Sequence, residues 1–178
     1  LHVDAHHDLR EAYEGFTYSH ASIFYNVLNE CKNVSKLIQI GIRDYSKEES
    51  QRMINLGDKG DCLYDTAMQA QIATGKSLEE VFTPYIEQLP KNVYISIDID
   101  GLEPLNCPNT GTPVPGGLRY GELEHLIFMV VKSGRKIIGF DLVEVGDSKN
   151  GWDANVGSRV LYNLCGALLA SQGKIEYR

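Results

Sequence analysis

The chain has 178 residues, 43% of them hydrophobic and 23% charged, with a net charge of −7; these values suit one soluble domain with a real hydrophobic core. The acidic balance leaves no basic surface for nucleic acid and favours cationic partners such as metal ions. The longest apolar run, Leu126–Val131, is far too short to cross a bilayer.

No signal-peptide pattern opens the sequence. Four cysteines (Cys31, Cys62, Cys107, Cys165) without C-x-x-C spacing or disulfide density point to reduced thiols and a cytoplasmic setting. Leu1 to Ala5 reads as a buried strand feeding a polar loop, His6 to Ser19. From Ala21 to Cys31, Ile23, Phe24, Val27 and Leu28 form the stripe of an amphipathic helix. Leu37 to Ile42 reads as a short strand ended by Arg43-Asp44. Ser46 to Leu56 reads as a helix with Ser46 as N-cap and Glu49 three residues on. Gly57 to Gly60 reads as a loop and Asp65 to Ala73 as a helix. Ser77-Leu78-Glu79-Glu80 is a capping-box signature for a helix ending at Leu89-Pro90.

Val93 to Ile99 is the clearest strand. Gly101 to Gly117 holds four of the six prolines and four glycines, the composition of a shaped loop. Tyr120 to Lys132 reads as a helix, Lys136 to Val145 as a strand and Asp153 to Ser171 as a long final helix. No linker, repeat or low-complexity tract divides the chain. Alternating strands and helices predict an α/β fold with a parallel sheet flanked by helices, one domain over 1–178.

Chemistry concentrates at the ends of those strands. Three segments carry acidic and imidazole side chains at strand spacing: Asp4-Ala5-His6-His7-Asp8, Ser96-Ile97-Asp98-Ile99-Asp100 and Asp141-Leu142-Val143-Glu144-Val145. Residues two apart on a strand share a face, so Asp4, His6 and Asp8 are expected together, as are Asp98 and Asp100. In open α/β sheets ligands gather outside the carboxyl ends of the strands. Several carboxylates and an imidazole meeting there repel one another unless cations neutralise them. Oxygen ligands mixed with imidazole suit a divalent ion such as Mn, and a bridging Asp can hold two. A lone D-x-D also fits a loop cap or solvated edge, and D-x-D-G opens the calcium-loop pattern, but the later ligands are missing. D-x-H-x-D is rarer, and a polar edge strand fits it poorly because Leu1, Val3 and Ala5 alternate with it. The two motifs together predict a two-metal hydrolytic site.

These residues carry a resemblance. The chain resembles the ureohydrolases, the arginase and agmatinase family, and most of all the agmatinase branch. The matching segments, in family order, are Asp4–Asp8, Tyr18-Ser19-His20-Ala21-Ser22, Gly41-Ile42-Arg43, Ser96–Pro104, Thr110–Gly117 and Asp141–Val145. One departure stands out: the family's upstream Gly-Gly-Asp-His, which supplies a histidine ligand, is absent. With the chain opening on Leu1 inside a strand, the resemblance implies a single ureohydrolase domain lacking its N-terminal part.

The resemblance implies a three-layer arginase-like fold, two Mn ions and a cytoplasmic homo-oligomer, trimer or hexamer. Asp4 and Asp98 would bridge both metals, Asp8 would serve the metal that also takes the missing histidine, and His6 and Asp100 the other. A hydroxide between the ions would attack a guanidinium carbon, with Asp8 carrying the released proton to the leaving nitrogen. His20 matches the proton-shuttle histidine and Glu144 the glutamate that pairs with the substrate guanidinium. Arginine-specific relatives read the α-substituents with a Ser-Gly-Asn loop and a second acid. Here Thr17-Tyr18-Ser19 and Ser46 stand in those places, which favours agmatine, cleaved to putrescine and urea in polyamine metabolism. Alternatives are arginine, another guanidine or formimidoylglutamate. Further rivals are a one-Zn amide deacetylase and a non-catalytic binding subunit.

Overall fold

The computed structural model describes residues 1–176. Five parallel strands form one sheet: β1 (His2–Val3), β2 (Leu37–Ile40), β3 (Gly60–Leu63), β4 (Asn92–Asp98) and β5 (Lys136–Val143), in the order β3-β2-β1-β4-β5. The shortest strand is central, with His2 opposite Gln39 on one side and Ser96 on the other. Parallel neighbours need crossovers, and these run through α1 (Ile23–Glu30), α2 (Lys47–Asn55), α3 (Asp65–Ala73), α4 (Leu78–Ile86) and α5 (Tyr120–Lys132), with α6 (Trp152–Ser171) following β5.

β1 and β2 are buried along their whole length, whereas β4 alternates: Val93, Ile95 and Ile97 turn into the core and Tyr94, on the other face, is 50% exposed. Ile38, Ile40, Ile95 and Ile97 are fully buried. One face meets Val81 and Phe82 of α4, Leu126 and Val130 of α5, and Val160 and Leu164 of α6 in the main core. A smaller cluster, Leu9, Leu37 and Met53, is flanked by Phe24 and Leu28 of α1. Capping boxes at Ser46/Glu49 and Ser77/Glu80 start α2 and α4 as the sequence predicts. Among the described residues, no helix is long and apolar enough to cross a membrane.

The sequence reading misses β3. Gly60 looks like part of a loop, yet a Cβ there would lie 2.6 Å from Leu56 Cδ1 and 2.9 Å from Met53 Sδ. The glycine lets α2 close onto the sheet edge, and the strand that begins there is too short and too polar to announce itself.

Candidate metal centre

The strand-spacing premise needs correction. The β1 ladder ends at Val3 and β4 at Asp98, so neither acidic motif lies along a regular strand. Asp98 is the last residue of its strand; Oδ1 accepts from the Asp100 N–H at 3.0 Å, capping a 3-10 turn over Ile99–Gly101. Asp8 and Glu144 adopt left-handed backbone, φ 53° and 59°, a conformation uncommon outside glycine and concentrated at functional sites. The side chains still meet, because short turns rather than pleats aim them.

Asp4 is the hub. Its Oδ1 accepts the His6 backbone N–H at 2.6 Å and lies 3.3 Å from His6 Nδ1, while Oδ2 lies 2.8 Å from His2 Nε2. His6 Nδ1 is also 3.2 Å from Asp100 Oδ2. Asp100 is tied from both ends, accepting from Ala5 N–H at Oδ1 and from the Thr112 hydroxyl at Oδ2, both at 3.1 Å. The turn carrying it can sit this close because residue 101 is glycine. A Cβ at Gly101 would lie 2.8 Å from Asp4 N and 3.1 Å from Asp4 Cα.

His6, Asp8, His20, Asp98 and Glu144 line a cleft of about 180 Å³, with Asp4 and Asp100 buried beneath. All seven sequence-predicted site residues are thus brought together. The loop after Asp8 folds back: the Asp8 carbonyl accepts from Phe24 and Tyr25 N–H, and Arg10 N–H donates to Ala21 O. That delivers His20 to the rim, where its ring meets Tyr13 edge-on at 5.5 Å between centroids. Glu144 is held by its carbonyl, which accepts from the Thr110 hydroxyl at 2.8 Å, and its Oε2 packs over Gly111.

The electrostatics show what this donor set fits. Burial, then the negative charges of Asp4 and Asp100, push Asp98 up to about 9. Burial, then Asp4, push Asp8 up to about 8. Burial alone would lower His6, but hydrogen bonds to Asp100 and Asp4 outweigh it and raise the imidazole to about 10. Burial alone would raise Asp4, yet the His2 and His6 imidazoles hold it well below the usual carboxylate range. Raised Asp8 and Asp98 thus hold protons, and His6 a positive charge, beside the ionised Asp4. Divalent cations neutralise such a cluster better and release those protons. Ligand atoms of Asp4, His6 and Asp100 lie within 4.8 Å of one another, as do those of His2, Asp4 and Asp8. The residues fit a divalent metal centre.

Sequence reasoning missed several supporting residues. His2 stands two before Asp4, a visible extension of the alternation. Arg43 reaches the carbonyl oxygens of Gly41, Asp100, Leu102, Val114 and Pro115; nothing local marks that role. Ser46 and Glu49 are occupied with the α2 cap, and Glu49 also faces Arg10 at 3.5 Å.

The profile of the Arginase family matches residues 1–166. N(1)-aminopropylagmatine ureohydrolase of Thermus thermophilus is 35% identical over 166 residues, covering 93% of this chain and 52% of that protein. Agmatinase of Halalkalibacterium halodurans is 37% identical over 151 residues, covering 82% and 46%. The solved structure of proclavaminate amidino hydrolase from Streptomyces clavuligerus superposes with a TM-score of 0.79 at 25% identity, covering 96% of this chain and 55% of that one. The chain spans about half the length of the curated relatives it matches.

Proposed function

This chain belongs to the arginase family, and on that premise we propose that it carries most of a two-metal centre for hydrolysis of a cationic guanidino compound, agmatine being the substrate it suits best. The observation behind this reading is the meeting of His6, Asp8 and Asp98, lining a cleft that His20 and Glu144 also line, with Asp4 and Asp100 buried beneath. Two Mn ions held by the five lower residues would make water a nucleophile at neutral pH by lowering its pKa from 15.7 to about 7. Asp4 and Asp98 would be shared between the ions, His6 and Asp100 would serve one, and Asp8 the other.

The remaining work falls to side chains. Glu144, on a strand end facing the cleft, pairs with the guanidinium and orients its carbon toward the metals. Asp8 takes the proton of the attacking water and delivers it to the leaving nitrogen, giving urea and an amine. His20, exposed at the rim beside Tyr13, exchanges protons between Asp8, the departing amine and solvent.

Support for agmatine comes from what the rim offers an α-carboxylate. Ser46 and its hydroxyl are engaged in the capping box, Ser19 Oγ pairs with Ser22 Oγ, the Tyr18 hydroxyl donates to Glu30, and Arg10, a cation lining the cleft, is already paired with Glu49 at 3.5 Å. A buried carboxylate without partners costs several kcal/mol. Urea release from agmatine and from arginine by Mn-loaded protein tests the assignment, with kcat/KM expected to favour agmatine; a higher value for arginine overturns it. Formamide release from formimidoylglutamate would move the chain to that chemistry instead.

A further inference from the structure

A buried amide outside the cleft reaches Asp4 through one intermediary. Gln39 lies in β2, fully buried and in register with His2 of β1. Its Nε2 is 2.8 Å from the His7 carbonyl oxygen and 2.8 Å from His2 Nδ1, and its Oε1 is 2.6 Å from His7 Nδ1. A carbonyl oxygen only accepts, so the amide atom facing it is the nitrogen, and the second amide hydrogen goes to His2 Nδ1. His2 Nδ1 is then an acceptor, so the ring hydrogen sits on Nε2, 2.8 Å from Asp4 Oδ2. On the other side Gln39 Oε1 takes the hydrogen of His7 Nδ1, leaving His7 Nε2 to accept from the Tyr64 hydroxyl at 3.3 Å. One side-chain amide sets two buried histidines in opposite tautomers.

The His2 ring has little freedom to answer in any other way. It is 2% exposed and stacks on Phe24 at 4.0 Å between centroids. Were its hydrogen on Nδ1, it would point at the amide hydrogens of Gln39, and a nitrogen lone pair would face the Asp4 carboxylate. Both contacts would turn repulsive.

We propose that Gln39 is a positioning residue for Asp4: by donating to His2 Nδ1 it aims the His2 Nε2–H at the carboxylate that the metals would share. The proposal rests on the reading of Asp4 as a metal ligand. It assigns Gln39 and His2 a role that the five-ligand pattern does not contain. Outer partners of this kind orient ligands, and losing one weakens metal binding by about 10–100-fold.

The test uses the 178-residue chain, with Mn²⁺ alone as the probe. In metal-free native protein, ¹⁵N spectra of the imidazoles are expected to show the Nε2–H form for His2 and the Nδ1–H form for His7. An Nδ1–H form at His2 overturns the proposal without need of any variant. Gln39→Met keeps the length and packing of the side chain but removes the donor. It is expected to release His2 into a mixture of tautomers and to weaken Mn²⁺ binding about 10–100-fold. In a His2→Phe background the same change should add no further loss, because the amide acts through that ring. An Asp4→Asn comparison separates the two layers. If Asp4→Asn loses metal while Gln39→Met binds it as tightly as the native chain, the role of Gln39 is wrong and the ligand reading stands. If Asp4→Asn binds Mn²⁺ normally, the ligand reading fails and takes the proposal with it.

Discussion

Replacing Gly101 with alanine tests how the two acidic motifs are held together. The added Cβ would sit 2.8 Å from Asp4 N, 3.0 Å from Val3 Cγ1 and 3.1 Å from Asp4 Cα, where ordinary carbon contacts want about 3.5–4.0 Å. Two of those atoms are backbone at the end of the central strand, and Asp4 N–H is bonded to Ile40 O at 3.3 Å. Neither side can yield cheaply. On the far side, Leu118 N–H donates to the Gly101 carbonyl at 3.0 Å and Arg43 to that of Asp100 at 2.7 Å. Relief requires the Asp98–Gly101 turn to back away from β1 by roughly half an ångström, at the 1–3 kcal/mol typical of overpacking. For a chain of this length that is a fall in Tm of about 2–12 °C. The same displacement separates Asp98 and Asp100 from Asp4 by about the 0.5 Å tolerance of a working site, so Mn²⁺ affinity should fall at least about tenfold. Thermal melts and Mn²⁺ titrations of Gly101→Ala measure both. Gly121→Ala serves as control, since a Cβ there meets nothing within 4 Å and the residue lies in α5. A Gly101→Ala protein with native Tm and native affinity would refute the close approach and the coupling drawn from it.

Asp98→Ala should remove most bound Mn and all measurable urea release; unchanged metal content in the purified variant contradicts its assignment as a shared ligand. His20→Asn should lower kcat by about 10²–10⁴ at unchanged metal content, the range of general acid–base catalysis, and near-normal kcat would take His20 out of the reaction. In metal-free protein Asp8 and Asp98 stand raised to about 8 and 9 against ordinary values of 3.8, and His6 to about 10 against 6.5. Groups raised on folding stabilise fully below their unfolded pKa and lose that contribution as pH climbs through the folded one. Denaturant midpoints of the metal-free chain should therefore fall between pH 6 and pH 9.5 while Mn²⁺ affinity rises. Greater metal-free stability at pH 9.5 would show the signs to be reversed.

The helices were the legible part of the fold, because their signals are local. Ser46 with Glu49 and Ser77 with Glu80 are each complete within four residues, and both boxes form. Tyr120–Lys132, read as a helix, forms over those residues. β3 was not legible, since Gly60 serves a packing contact with Met53 of α2 and Leu56 at its C-cap. In the candidate site, spacing is enough to expect Asp4, His6, Asp8, Asp98 and Asp100 close together, and they are, but the geometry that brings them together is not legible. A 3-10 turn and two left-handed residues do what an ideal strand was expected to do. The supporting layer was hidden for another reason. Gln39 reads as a lone polar residue in an apolar strand, and its partners His2 and His7 come from a different segment.

The reach of Arg43 has a consequence for how this molecule opens. A planar fork of fixed donors binds carbonyls from Gly41, from the Asp100 turn and from Val114 and Pro115 of the proline-rich loop. Segments tied through one group do not fray one at a time. Residues 100–118 are therefore expected to open as one cooperative unit, their amides exchanging with deuterium at a common rate. A lysine in place of Arg43 presents a single ammonium instead of the fork, which would split that unit and let the proline-rich loop exchange ahead of the turn beneath it.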